Sequence, residues 1–165
     1  MIGFRKQTIH MFNRTNKTIV YVLVHLFYPK TTENLPTPML SDTLPLGRIP
    51  DFVAFGRAGR PLEQRGSARP LNFAPGQTFE LRLADHYDQI KSTIESDQTL
   101  PKQTRLIIHA SFIVFDDGMK WRGGGSFGLP DRENPGAWKP LPWDFFPGSP
   151  RDNRPPGWKP PETPE

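Results

Sequence analysis

The stretch RLIIHASFIVFDDGMKW, residues 105–121, restricts the possible folds of this chain more than any other. Eleven residues rich in Ile, Val and Phe run up to Phe115, and an aromatic residue returns at Trp121. Between them lies Asp117-Gly118, a dipeptide that readily adopts the positive φ angles of a two-residue hairpin turn. The stretch therefore predicts a β-hairpin, and with it a protein built mainly from antiparallel strands.

Other segments also have the composition of strands. Residues 18–28 are dense in β-branched and aromatic residues, and both faces of the segment are apolar, which is typical of a covered central strand. Weak alternation over residues 3–13 predicts a first strand, and PGQTFELRL, residues 75–83, predicts a turn followed by an alternating strand. Between these strands we expect a connection over residues 29–50, a short strand over residues 51–56 and a polar loop over residues 57–69.

One segment, residues 84–96, predicts a helix, because Tyr87, Ile90 and Ile94 recur at spacings of three and four. We expect Asp85 to cap the N-terminus of this helix. The chain shows no alternation of strands with helices, so a parallel sheet is not expected. We therefore predict a mainly all-β fold, an immunoglobulin-like antiparallel β-sandwich with one short helix.

The composition changes near residue 129. Residues 129–165 contain 11 of the 20 prolines and three of the four tryptophans. Proline-rich chain is already extended, so fixing it on a surface costs little backbone entropy, and a free tail is normally poor in aromatic residues. We predict a β-sandwich domain over residues 1–128 and an extended docking tail over residues 129–165. The predicted partner-binding residues are the large aromatics of this tail: Trp138, Trp143, Phe145, Phe146 and Trp158.

The sequence does not specify which surface this tail covers, and three alternatives remain. The tail folds back over its own sandwich, lies along a partner subunit, or forms a free linker. In the first two cases each large ring buries about 150–250 Å².

Composition also excludes several classes of protein. The net charge of +4 comes from scattered Lys and Arg residues, not from the dense basic block of a nucleic-acid-binding protein. No apolar run has the length of a membrane span, and without cysteine the chain has no disulfide or thiolate metal site. Charged residues follow Met1 almost directly, so we see no signal peptide. Two alternatives therefore stay open: a cytoplasmic protein, or an exported protein whose signal lies upstream.

Three blocks carry a resemblance to a group of bacterial proteins: residues 17–28, residues 74–95 and residues 112–141. The chain resembles bacterial, often exported β-sandwich proteins with an N-x-T-x-K-x-I strand, an FDDG-x-x-W hairpin and a PD-x-x-NPG-x-W segment. The resemblance ends after Pro142, and Met119 stands where those proteins usually have a small polar residue. It implies a sandwich fold and a place in the cell envelope or outside the cell, but it brings no catalytic residue.

Carboxylate and amide oxygens cluster in two places, at Asp116 and Asp117 and at Asp131, Glu133 and Asn134. If the two groups converged, they would suit a hard cation such as Ca²⁺. However, Asp-Gly and Asn-Pro-Gly are turn sequences in their own right, so we expect structural turns and no metal.

Catalytic motifs are not apparent. The histidines His10, His25, His86 and His109 lack metal-ligand spacing, and no G-x-S-x-G elbow accompanies them. The GGGS sequence, residues 123–126, is followed by neither the lysine nor the helix of a phosphate-binding loop. We therefore expect no catalytic residue and no cofactor.

These observations favour a non-enzymatic structural or accessory subunit that binds a protein partner through residues 129–165. The alternative is a cell-surface or extracellular carbohydrate-binding module, in which tryptophans such as Trp121 and Trp138 stack on sugar rings. A hydrolase assembled from dispersed residues is the third possibility.

Overall fold

The computed structural model describes residues 7–29, 39–50, 69–97, 106–123, 125–131, 133–134, 137–142 and 145–147. The predicted short strand over residues 51–56 lies outside the described residues, as do Trp143, Trp158 and all but the last residue of the predicted loop 57–69.

The described residues form two antiparallel sheets, which confirms the predicted mainly β class. The smaller sheet pairs β1, Thr8–Phe12, with β4, Thr78–Arg82. The larger sheet contains β2 (Ile19–Pro29), β3 (Met39–Gly47), β5 (Ile107–Phe115), β6 (Lys120–Arg122), β7 (Ser126–Pro130) and β8 (Trp138–Pro140). Its order is β3-β2-β5-β6-β7-β8, so the described strands divide six to two between the sheets. An immunoglobulin constant domain divides its strands four to three, and the immunoglobulin-like topology stays a prediction.

Strand β2 lies inside the large sheet, between β3 and β5, as its two apolar faces predict. Val22, Val24, Leu26 and Tyr28 alternate along it and are almost completely buried. These four side chains belong to the main core, together with Leu81 of β4 and other residues of the two sheets. Full burial of one such aliphatic side chain contributes roughly 1.5–3 kcal/mol.

The helix covers part of this core and begins later than predicted. A 3-10 turn, Leu83–His86, precedes α1, Tyr87–Ser96, and His86 precedes the first α-helical residue without a capping hydrogen bond from its side chain. The prediction that Asp85 caps the helix was therefore wrong, because Asp85 lies inside the 3-10 turn. Tertiary contacts hold α1 instead: Ile90 is buried in the main core, and Thr93 donates to Asp42 of β3 at 3.0 Å. Among the described residues, no helix has the length and apolar character needed to cross a membrane.

Strand β3 was not predicted. The sequence favours an irregular connection over residues 29–50, whereas residues 39–47 pair with β2 along their whole length. Pro45 lies opposite Leu23 within this strand. A proline has no N–H to donate to a ladder and is tolerated on an edge strand, which is the position of β3. Leu44 next to it is buried in the main core, so burial compensates for the weak local preference.

Gly47 at the end of β3 permits a close approach of two chain segments. Its φ is 79°, and an added Cβ would lie 2.3 Å from the Val20 carbonyl oxygen, which accepts the Leu71 N–H at 2.8 Å. We expect Gly47→Ala to lower the free energy of unfolding by about 2–4 kcal/mol, because it combines backbone strain with this overlap. Gly76→Ala is the matched control for chemical denaturation: its φ is 73°, but nothing lies within 4 Å of its added Cβ. An equal loss of unfolding free energy in the two variants would show that the overlap with the Val20 carbonyl has no energetic effect.

The predicted hairpin is confirmed as β5 and β6, but its turn is longer than two residues. The Gly118 N–H donates to the Phe115 carbonyl, and the Phe115 N–H donates to the Met119 carbonyl, each at 2.9 Å. Residues 116–118 thus form a three-residue connection in which Gly118 has a φ of 79°.

The large sheet continues past the predicted domain boundary. The boundary between residues 128 and 129 falls inside β7, and β8 adds a further strand beyond it. Phe145 is 7% exposed and packs edge-on against Phe127, with 5.6 Å between the ring centroids. Within the described residues, the first part of the predicted tail therefore packs on its own domain.

Candidate functional site

The face of the large sheet that lies opposite the main core carries a distinctive group of side chains. Directly paired residues of neighbouring strands share a face, and on this face the β2–β5 pairs are Tyr21–Val114, Leu23–Phe112, His25–His109 and Phe27–Ile107. Strand β6 continues the same face, with Lys120 opposite Val114 and Arg122 opposite Phe112. Trp138 of β8 joins them, because its ring lies under the Lys120 ammonium. We call these residues of β2, β5, β6 and β8 the outer face.

The outer face is buried at one end and partly open elsewhere. A second, small core holds Val20, Tyr21, Ile49 and Val114. Leu23, Phe112 and Trp138 pack around it and are half-buried, while Ile107 at the far end of β5 is 39% exposed. Partly exposed apolar side chains grouped on one surface are typical of interaction sites.

Lys120 occupies an unusual position on this face. Its Nζ lies 3.9 Å from the centroid of the Trp138 ring and 4.7 Å from that of Phe112. The Trp138 indole N–H donates to the Gly118 carbonyl at 3.2 Å, which fixes the orientation of the ring. Burial lowers the pKa of Lys120 to about 8, and the positive charge of Arg122 acts in the same direction. The ammonium is thus partly removed from water, and the rings beside it do not fully replace its hydration.

The pairings place no carboxylate on the described outer face. Within the part of the chain that the structure describes, neither Lys120 nor Arg122 forms an ion pair with an Asp or Glu side chain. Four described cations elsewhere do have such partners: Lys17 with Asp117, Arg82 with Glu80, Lys91 with Glu95, and Lys139 with Asp131 and Glu133. Positive charge on the outer face is therefore not compensated by the described residues.

The predicted partner-binding aromatics separate into different places. Trp138 belongs to the outer face, whereas Phe145 is buried on the core side against Phe127. Phe146 also contacts the Phe127 ring, at 6.1 Å between centroids, but stays 43% exposed. Trp143 and Trp158 lie outside the described residues.

The two clusters of oxygens are each held by local partners. Asp117 pairs with Lys17, and its Oδ1 accepts the Met119 N–H at 3.1 Å. Asp131 accepts the Glu133 N–H and an amide hydrogen of Asn134, both at 3.0 Å. Among the described residues, no three His, Asp or Glu side chains converge in a way that would hold a metal ion.

The four histidines are also distributed over the molecule. His25 and His109 form a cross-strand pair on the outer face, and the His25 ring packs edge-on against Phe27 at 5.6 Å. His10 lies on β1, 3.8 Å from Glu80, and His86 ends the 3-10 turn.

Sequence reasoning missed the roles of Phe112, Lys120 and Arg122. A local signal for the two cations exists: in Lys120-Trp121-Arg122 the strand alternation places both on one face and Trp121 on the other. Their combination with Phe112 and Trp138 depends on the order and register of four strands, which local sequence does not specify.

No protein-family model, curated protein or solved structure matches the chain. The function is therefore inferred from the residues of the outer face.

Proposed function

We propose that the protein is a non-enzymatic structural or accessory subunit that binds a protein partner. The supporting observation is the outer face, on which Leu23, Phe27, Phe112 and Trp138 are partly exposed on one six-stranded sheet. Side chains held on a sheet are ordered before binding, so little conformational entropy is lost when a partner covers them. Tryptophan and arginine side chains, represented on this face by Trp138 and Arg122, are enriched among the residues that contribute most to the affinity of protein interfaces.

In this proposal, a smaller part of the predicted docking tail contacts the partner. Trp138 and Phe145 stabilise the domain itself, and of the described tail aromatics Phe146 is the one whose ring is exposed. Phe146 lies on the core side of the sheet, so it would contact a different part of a partner from the outer face. A place in the cell envelope or outside the cell stays a prediction from the resemblance.

A carbohydrate-binding module has weaker support. Trp121 packs against the main core, and one face of the Trp138 ring is occupied by Lys120. Stacking on a sugar needs an open ring face, which neither arrangement favours.

Site-specific photocrosslinking in the native host tests the proposal. A photoreactive phenylalanine replaces Phe27 on the outer face in one variant and Phe12, 57% exposed on the small sheet, in the control. We expect a covalent adduct with one protein from position 27 and none from position 12. The identified protein, purified, is then expected to bind the full chain and to lose about tenfold in affinity with Phe27→Ala but not with Phe12→Ala. No adduct from position 27, or equal adducts from both positions, would contradict the proposal.

A further inference from the structure

The uncompensated cations of the outer face suggest the chemistry of the missing partner. Lys120 and Arg122 are two residues apart on β6 and therefore project from the same side of the sheet. Each positive charge disfavours the other, and a charge that is removed from water without a counter-ion costs free energy. Such an arrangement is more stable when a negative group is bound between the cations.

The surroundings of Lys120 on neighbouring strands supply no negative charge. The row that crosses the sheet at this position contains Tyr21 of β2, Val114 of β5, Gly128 of β7 and Pro140 of β8. Burial raises the pKa of Tyr21 above its ordinary value, so its phenol stays neutral. Contacts with the Phe112 and Trp138 rings offset part of this cost but supply no negative charge.

We propose that the Lys120–Arg122 pair binds a side-chain carboxylate from an acidic segment of the protein partner, and that an apolar side chain next to this carboxylate packs on Phe112 and Leu23. The inference rests on the proposed function, since it specifies what the outer face recognises. An arginine and a lysine together form charge-assisted hydrogen bonds to both oxygens of a carboxylate. Complementary charge of this kind adds specificity to an otherwise apolar interface.

A nucleic acid fits this surface less well. Affinity for a phosphate backbone grows with the number of cations in a row, because each contact releases counter-ions. Lys120 and Arg122 are two cations bordered by Leu23, Phe112 and Trp138, and the net charge of +4 is spread over the whole chain. An apolar border next to a pair of cations suits a peptide that alternates acidic and apolar residues.

Binding of synthetic peptides to the full chain tests this inference by isothermal titration calorimetry. One probe alternates Glu and Leu, and the matched probe replaces each Glu by Gln. We expect the Glu peptide to bind about tenfold more tightly than the Gln peptide at low salt. The double variant Lys120→Gln, Arg122→Gln is expected to remove this preference, whereas Arg82→Gln on the small sheet keeps it.

Proton uptake during binding is a second readout. It distinguishes carboxylate binding by Lys120 from a purely structural role of this lysine. A bound carboxylate raises the pKa of Lys120 from about 8, so at pH 8 binding is accompanied by proton uptake. At pH 6 the lysine is already protonated and this uptake is absent. Titrations in two buffers of different ionisation enthalpy measure the protons exchanged, and Lys120→Gln is expected to abolish the uptake at pH 8.

Several results would overturn the inference. The first is failure of the Glu peptide to bind, and the second is equal affinity for both peptides. The third is the same proton uptake with inorganic phosphate alone, because that would indicate a general anion site. If the crosslinked partner binds the Lys120→Gln, Arg122→Gln variant normally but loses affinity for Phe27→Ala, the inference is wrong while the proposed function holds. If Phe27→Ala also binds normally, the proposed function is wrong as well.

Discussion

A chain shortened to residues 1–128 is expected to lose most of its stability, whereas a chain shortened to residues 1–147 is expected to retain it. The first truncation cuts β7 before its end and removes β8, together with the Trp138 and Phe145 rings. Phe127 loses the Phe145 ring, and the hairpin turn loses the hydrogen bond from Trp138 to Gly118. Truncation of one buried aromatic side chain costs about 3–5 kcal/mol, which is comparable with the whole stability of a small domain, about 5–15 kcal/mol.

Urea denaturation followed by circular dichroism compares the two shortened chains with residues 1–165. The chain of residues 1–147 serves as the control, because it keeps every contact of Trp138 and Phe145 described above. Identical denaturation midpoints for the two shortened chains would contradict the expectation and would place the domain boundary at residue 128, where the composition changes.

Local sequence predicted the elements whose signal is strong and independent of neighbours. β2 has a dense run of β-branched residues, and the β5–β6 hairpin has an Asp-Gly turn between apolar segments. β3 was missed because Pro45 weakens its local pattern, and only the pairing with β2 makes the strand favourable. Asp85 was assigned as a helix cap from its type alone, although the preceding 3-10 turn shifts the helix start to Tyr87.

The outer face shows why much of the candidate site could not be predicted. Around Ser111 the register between β2 and β5 shifts by one residue, so counting along β5 alone assigns residues on one side of the shift to the wrong face. Aromatic composition was a good guide to burial in the described part of the tail, but it did not indicate which face of the sheet each ring covers. Trp138 and Phe145 bury their rings on their own sheet as readily as they would on another chain.

Asp117→Asn is expected to lower the free energy of unfolding by about 3 kcal/mol, because it leaves a buried ammonium without its counter-ion. Lys17 is 7% exposed and pairs with Asp117, which is 16% exposed, across the contact between the turn before β2 and the hairpin turn. Asparagine keeps the Oδ1 that accepts the Met119 N–H, so the turn itself is preserved. Its amide group, however, would place N–H donors against the Lys17 Nζ, where the second carboxylate oxygen lies now.

Asp116 supplies a matched control, since it occupies the same turn but is exposed. Asp116→Asn is expected to change the unfolding free energy by less than about 0.5 kcal/mol. The double variant Lys17→Met, Asp117→Asn removes both charges, and we expect it to be more stable than Asp117→Asn alone, because methionine fills the space of the lysine stem without a charge. Equal losses for Asp116→Asn and Asp117→Asn, or a double variant less stable than Asp117→Asn, would show that the buried charge of Lys17 does not determine the stability of this contact.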